Sequence, residues 1–328
     1  MENEIRKDYL LDRWVIISPK RSKRPHITQE TKLPVKDDSC VFCPGNEHMS
    51  GKSIIEKPEK NWQIRVVNNK FPALTKDAKF YEKSDGFKDK ISGYGSHYII
   101  VDTHLHNLHP SRYNILQWER WFETIADLMY AEMADDAIKY VLAFKNHGVE
   151  AGASQLHPHT QVIAMPSIPF LIQQEMKRAE EYYDLTGRCA FCDIIKMESS
   201  EKVRVVFENE EVVVFCPFAP LQPYEAWIFP KFHRPSIQIT HKTREEMLKA
   251  LGHLLDAYYR GLNDPPFNFM LHTAYPRMDK PTANSYHFHI EVLPRIEKDA
   301  GFEYGAGMNI TTVSPEESAK FLRELFKR

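Results

Sequence analysis

Short apolar runs, many of them alternating with polar positions, follow one another along most of this chain, and at two places the apolar period lengthens to that of a helix. Gln63-Ile-Arg-Val-Val67, Gly95-Ser-His-Tyr-Ile-Ile-Val101 and Tyr140-Val-Leu-Ala-Phe-Lys145 predict strands in the first half. Val203 to Phe207, Val212 to Phe215, Tyr224 to His233 and Phe267 to Leu271 predict strands in the second. Between them, Ile115, Trp118, Trp121, Phe122, Ile125, Leu128 and Met129 recur at helical spacing, as do Met247, Leu248, Leu251, Leu254, Leu255 and Tyr258. Each stripe predicts an amphipathic helix laid on a core. Residues 171 to 183 predict a charged helical linker, and the Gly/Lys/Asp-rich stretch 76–95 a surface loop.

The pattern occurs twice. Cys40-Val-Phe-Cys43 is followed by strands, a histidine (His104 or His106), a helix, a strand, and the strand containing His157-Pro-His159. Cys189-Ala-Phe-Cys192 opens a second series, with strands, His233, a helix, a strand, and Tyr286-His-Phe-His-Ile-Glu-Val292. Alternation in a strand puts His157, His159 and Gln161 on one face, and His287, His289 and Glu291 on one face. The expectation is an α+β protein of two tandem domains, 1–170 and 171–328, each an antiparallel sheet with covering helices, paired as an intramolecular pseudo-dimer.

Composition narrows what such a protein can do. A net charge of −2 supplies no general basic field for nucleic acid. No apolar run approaches the ~20 residues that span a bilayer, and the charged first residues lack an apolar signal core, so a cytoplasmic location is expected. Four of the five cysteines sit in two C-x-x-C pairs. Without an export signal, such pairs point to metal and not to disulfides.

Zinc takes four soft or borderline ligands in a tetrahedron, and a closed Cys2His2 set is common. The repeat offers two sets: Cys40, Cys43, His106 and His157, then Cys189, Cys192, His233 and His287. His106 is preferred to His104 because it holds the place that His233 holds before the second helix. The second ion could also be iron. With His157 committed to metal, His159 remains as an imidazole able to attack phosphorus, passing through a nucleotidyl-histidine. Gln161 and Ser154 lie close by in sequence as donors for the developing charge, and Arg21 or Arg24 could add positive charge. A neutral Gln161 supplies no proton donor, which favours transfer to an acceptor over hydrolysis. At the matching place in the second half stands Glu291, a carboxylate that would repel a phosphoryl group, so chemistry is expected in the first half alone.

The segment Phe144-Lys-Asn-His-Gly-Val-Glu-Ala-Gly-Ala-Ser-Gln-Leu-His-Pro-His-Thr-Gln161 resembles the active-site segment of galactose-1-phosphate uridylyltransferases, a branch of the histidine triad superfamily. Ser18-Pro-Lys-Arg-Ser-Lys-Arg-Pro25, Asn69-Lys-Phe-Pro-Ala-Leu74 and Gly301-Phe-Glu-Tyr-Gly-Ala-Gly-Met-Asn-Ile310 resemble other parts of that family. The resemblance implies ping-pong transfer of a nucleoside monophosphate from a nucleotide sugar to a sugar 1-phosphate, as in UDP-glucose–hexose-1-phosphate uridylyl transfer. It implies that His159 is the nucleophile, that Gln161, Ser154 and Asn146 hold the phosphate with Gly152 and Ala153 beside them, and that Arg21, Arg24 and Asn69 contact the nucleotide, the arginines across a homodimer. Lys70 stands where the best-known uridylyltransferases carry an aspartate. The second C-x-x-C and the Gly-Phe-Glu loop resemble a branch that includes ADP-glucose phosphorylases, which implies the alternative of an adenylyl donor with phosphate as acceptor.

Overall fold

The computed structural model describes residues 2–20, 39–274 and 280–326, and these cluster into two compact units. Unit A lies within 34–145 and 154–173; unit B lies within 1–33, 146–153 and 174–328.

Unit A is built on five strands: β1 (Ser53–Lys57), β2 (Ile64–Asn68), β3 (Ser96–Val101), β4 (Tyr140–His147, clustered here through Lys145) and β5 (His159–Met165). They pair in the order β1-β2-β3-β5-β4, antiparallel throughout. Helix α1 (Ile115–Glu132) starts where the Asn114 side chain accepts from the Gln117 amide at 2.8 Å, one of the orphan donors of a first turn. Its predicted stripe is buried as expected: Trp121 and Ile125 are fully covered. Trp121 Nε1 donates to Thr160 Oγ1 at 2.8 Å, which fixes one face of β5 (Thr160, Val162, Ala164) against the helix side. The alternate residues His159, Gln161 and Ile163 therefore face the other way.

Unit B repeats this plan with β6 (Val205–Glu208), β7 (Val212–Phe215), β8 (Ala226–Pro230), β9 (Phe267–His272) and β10 (His289–Pro294). The order is β6-β7-β8-β10-β9, again antiparallel. Strand for strand this is the topology of unit A. The duplication read from the cysteine and histidine spacing is thus a duplication of sheet plan. After α2 (Phe170–Thr186) and α3 (Ala190–Glu201), helix α4 (His241–Gly261) begins at a Thr240 cap, whose hydroxyl accepts from the Thr243 amide at 3.1 Å. Its last turn meets α5 (Pro315–Phe326) so closely that a Cβ on Gly261 would lie 2.3 Å from Leu325 Cδ1.

Several elements differ from the sequence expectation. Residues 76–95 contain a hairpin, Glu82–Asp85 with Lys88–Ile91, turned at Gly86-Phe87. All eight strand residues are exposed, so no apolar alternation announces it. The second C-x-x-C opens α3 instead of leading straight into a strand, and His157 and His287 precede β5 and β10 instead of lying within them. Strand Trp14–Ile17 pairs with Glu4–Lys7 and, in parallel, with Asn309–Thr311. No described helix is long and apolar enough to cross a membrane.

Candidate active site and metal groups

The sulfurs of Cys40 and Cys43 and one ring nitrogen each of His106 and His157 lie within 4.8 Å of one another in unit A. Cys43 Sγ is 3.2 Å from His106 Nδ1 and 3.6 Å from His157 Nδ1, and Cys40 Sγ is 3.7 Å from His157 Nδ1. Metal–sulfur and metal–nitrogen bonds of about 2.3 and 2.0 Å at a tetrahedral angle put sulfur and nitrogen about 3.5 Å apart, so the spacing fits a shared ion. The tautomer fits as well. His157 Nε2 donates to the Thr103 carbonyl at 2.7 Å, which leaves Nδ1 as the lone pair aimed at the thiols. Burial pushes His157 down to about 4, so the ring is neutral and ready to ligate. His106, not His104, completes the group.

Unit B carries the same group from Cys189, Cys192, His233 and His287. Cys192 Sγ lies 3.5 Å from both ring Nδ1 atoms, and each Nε2 donates to a carbonyl, His233 to Ala283 at 3.0 Å and His287 to Pro230 at 2.9 Å. Both Cys/His groups named from spacing are therefore assembled, each able to hold a metal ion.

Two residues beyond His157, the ring of His159 has its Nδ1 2.9 Å from the His157 carbonyl oxygen. Nδ1 must carry the proton to donate there, so Nε2 holds the free electron pair. Burial pushes this imidazole below its ordinary value, and the nearby Lys145 charge acts the same way. Phe42, from the knuckle itself, packs on the ring at 5.5 Å between centroids. Behind β5, Lys145 Nζ donates to the His159 carbonyl at 2.9 Å and to Asp102 Oδ2 at 2.6 Å, which holds the backbone under the ring. An uncharged, oriented imidazole is the outcome.

Gln161 lies two residues on, on the same face. Its Oε1 is 2.9 Å from His97 Nε2 on β3, and His97 Nδ1 accepts from the Ala73 amide at 3.2 Å. Asn69 Nδ2 lies 3.2 Å from His97 Nε2 and 3.4 Å from Nδ1, while its Oδ1 accepts from the Phe71 amide at 2.9 Å. The structure thus joins Asn69 and Gln161 through His97, which the sequence reading did not single out. Its signal was a histidine in a strand that runs on into Ile99-Ile-Val101, two residues from Ile99, which pairs with Gln161.

The remaining named residues are distributed as follows. Arg21 and Arg24 lie outside the described residues. Ser154 is exposed in unit A. In unit B, Asn146 Oδ1 accepts from Asn268 Nδ2 at 2.8 Å, Asn146 Nδ2 lies 3.5 Å from the Gly152 carbonyl, Gly152 adopts φ +86°, and Ala153 is buried.

Unit B places His289 as unit A places His159, with a different neighbour. His289 Nδ1 again donates to the carbonyl two residues back, at 2.9 Å, and Phe191 packs on its ring at 5.4 Å. Its Nε2, however, is 3.7 Å from Glu291 Oε1. The space there, lined by Asp8, Arg13, Glu175 and Trp227 among others, amounts to about 10 Å³, room for one water and no nucleotide.

Two duplicated sheets, each with a Cys/His group able to hold a metal ion, and an oriented imidazole two residues beyond the first group define the architecture. A family model described as galactose-1-phosphate uridyl transferase, N-terminal domain, matches residues 1–169, and one described as a domain of unknown function, DUF4921, matches 116–327. The chain belongs to the galactose-1-phosphate uridylyltransferase family. It is 31% identical to ADP-glucose phosphorylase of Arabidopsis thaliana, covering 98% of this chain and 93% of that one. It is 30% identical to galactose-1-phosphate uridylyltransferase of Thermotoga maritima, covering 98% of both. Among solved structures, ADP-glucose phosphorylase from Arabidopsis thaliana with bound ADP-glucose aligns at TM-score 0.85, 30% identity and 99% of both chains. A uridylyltransferase aligns at 0.77, 26% identity, 99% of this chain and 98% of the other.

Proposed function

We propose that the chain is a nucleotidyltransferase that moves uridylyl from UDP-glucose to a hexose 1-phosphate through His159. The observation that carries this is the His159 ring: Nδ1 is committed to the His157 carbonyl, so Nε2 alone presents an electron pair. In the first half-reaction Nε2 bonds to the α-phosphorus, the bond from that phosphorus to the bridging oxygen breaks, and glucose 1-phosphate leaves with the bond's electrons. In the second, a phosphate oxygen of the incoming sugar 1-phosphate bonds to the same phosphorus and Nε2 is released. No proton need cross the site, because the bridging oxygen leaves as an anion and the entering phosphate oxygen is already one. The Gln161 amide stabilises the charge that gathers on the non-bridging oxygens, with Ser154, Asn146, Gly152 and Ala153 as phosphate contacts and Asn69, Arg21 and Arg24 as nucleotide contacts, the arginines across a homodimer. Zinc in both Cys2His2 groups would staple remote segments and hold His157; metal analysis distinguishes zinc from iron in the second. A cytoplasmic location goes with this reading.

A second reading has adenylyl as the group moved and phosphate as the acceptor. It is favoured by Lys70 in the loop after Asn69 and by the 31% identity to an ADP-glucose phosphorylase. Incubation with α-³²P-labelled UDP-glucose and ADP-glucose in turn decides: only the true donor labels the protein, and the label is alkali-stable and acid-labile, as a phosphoramidate is. Full labelling of a His159→Asn variant would remove His159 from the role. Steady release of nucleotide without acceptor would make the protein a hydrolase.

A further inference from the structure

We propose that His97 is a positioning residue that locks the Gln161 amide with its NH2 end toward the α-phosphoryl group. The inference rests on the reading of His159 as nucleophile. It begins with a question of orientation, since an amide turned end for end would present its carbonyl oxygen to an anion and repel it. The surrounding network decides the orientation. The Ala73 amide donates to His97 Nδ1 at 3.2 Å, so Nδ1 is the unprotonated nitrogen and Nε2 carries the hydrogen. The Gln161 atom 2.9 Å from Nε2 must therefore accept, and only Oε1 does so. With the carbonyl end committed, NH2 is the end the amide offers to a ligand.

Asn69 is held in the same way. Its Oδ1 accepts from the Phe71 amide at 2.9 Å, so its Nδ2 is the end that faces the His97 ring, where the unprotonated Nδ1, 3.4 Å away, is the atom able to accept. His97 is buried, with 8% of its surface exposed, so solvent does not compete for these bonds. It reaches Gln161 diagonally across the β3–β5 pair, since Gln161 lies opposite Ile99.

Unit B provides an internal comparison. Trp227 lies opposite Glu291, as Ile99 lies opposite Gln161, so Glu225 holds the place of His97. Burial and the Glu291 charge push Glu225 up. Where the nucleotide site is closed, the imidazole–amide pair has been exchanged for two carboxylates, which present no directed N–H to an anion. The pair has changed at both positions, as residues acting as one unit would.

The test is a double-mutant cycle on single-turnover nucleotidylation of His159 by labelled UDP-glucose and ADP-glucose. His97→Phe keeps a ring but removes the donor, and the rate is expected to fall roughly 10- to 100-fold with donor KM changed less than about threefold. His97→Gln restores an N–H donor and recovers the rate to within about fivefold. In a Gln161→Ala background, His97→Phe is expected to change nothing further. A rate kept within twofold in His97→Phe, or losses that multiply in the double variant, would overturn the proposal. Should His97→Phe not fold, the cycle runs with His97→Gln, and a loss above tenfold that also multiplies with Gln161→Ala overturns it equally. If neither donor labels the wild type, the proposed function fails, and the same cycle is read on calorimetric affinity for UMP and AMP. Coupled losses there support the positioning role; independent or absent losses overturn it.

Discussion

Lys145 and Asp102 lie 2% and 0% exposed behind the His159 strand, with Nζ and Oδ2 2.6 Å apart. At that distance and an effective dielectric of ~20, the attraction is about 6 kcal/mol. Burying each ion costs several kcal/mol, so the pair as a whole comes out near even. The direction of the Lys145 pKa agrees: burial pushes it down by more than Asp102 pushes it up. Removing one partner is a different matter, because the other stays buried and uncompensated. Lys145→Met is therefore expected to cost about 3–5 kcal/mol. Asp102 keeps the Thr160 hydroxyl at 3.1 Å, so Lys145→Met/Asp102→Asn retains an acceptor there and loses the stranded charge. The double variant is expected to cost about 1–2 kcal/mol, less than the single. At roughly 2–4 °C per kcal/mol for a unit of this kind, melting drops of about 6–20 °C and 2–8 °C follow. A double variant that melts below Lys145→Met would refute the reasoning, since it would mean the charge was never the cost.

Three further outcomes are expected. Elemental analysis should find two metal ions per chain, with Cys40→Ser and Cys189→Ser each losing one; a single ion in the wild type would contradict the paired Cys/His groups. Gln161→Glu, which imports the unit B residue, should slow nucleotidylation by roughly 100-fold or more while leaving the melting temperature nearly unchanged; a rate near wild type would leave the amide without a role. Burial holds His97 below the ordinary imidazole value of 6.5, with its bond to Gln161 acting in the opposite sense. Its contribution to stability is thus present above about pH 6.5 and lost as pH falls through the lower folded value. Melting curves of His97→Gln should therefore fall less than wild type between about pH 7 and pH 5, and parallel curves would count against it.

The repeat was legible because its markers are chemical. Two knuckles with histidines in step mark both halves, and they pointed to the Cys/His groups and to the duplicated sheet. What escaped is equally physical. The hairpin around Gly86 has no buried face, so no alternation marks it. The helix opened by Cys189 was hidden because a knuckle reads the same ahead of helix or strand. His97 and the Lys145–Asp102 pair act through partners distant in sequence, Gln161 at a separation of 64 and Asp102 at 43, and no local pattern reports such contacts.

One peptide unit has an outsized effect on how this site can fail. The ring of His157 turns toward the thiols while its carbonyl receives the neighbouring imidazole's proton, so a single residue ties the ion's cage to the reactive nitrogen. With an ion bound there, its removal would leave the His157 ring held by the Thr103 carbonyl alone, at 2.7 Å, and would loosen the carbonyl that orients His159. Chelation is therefore expected to show first as a mixture of His159 tautomers, before the sheet around it comes apart.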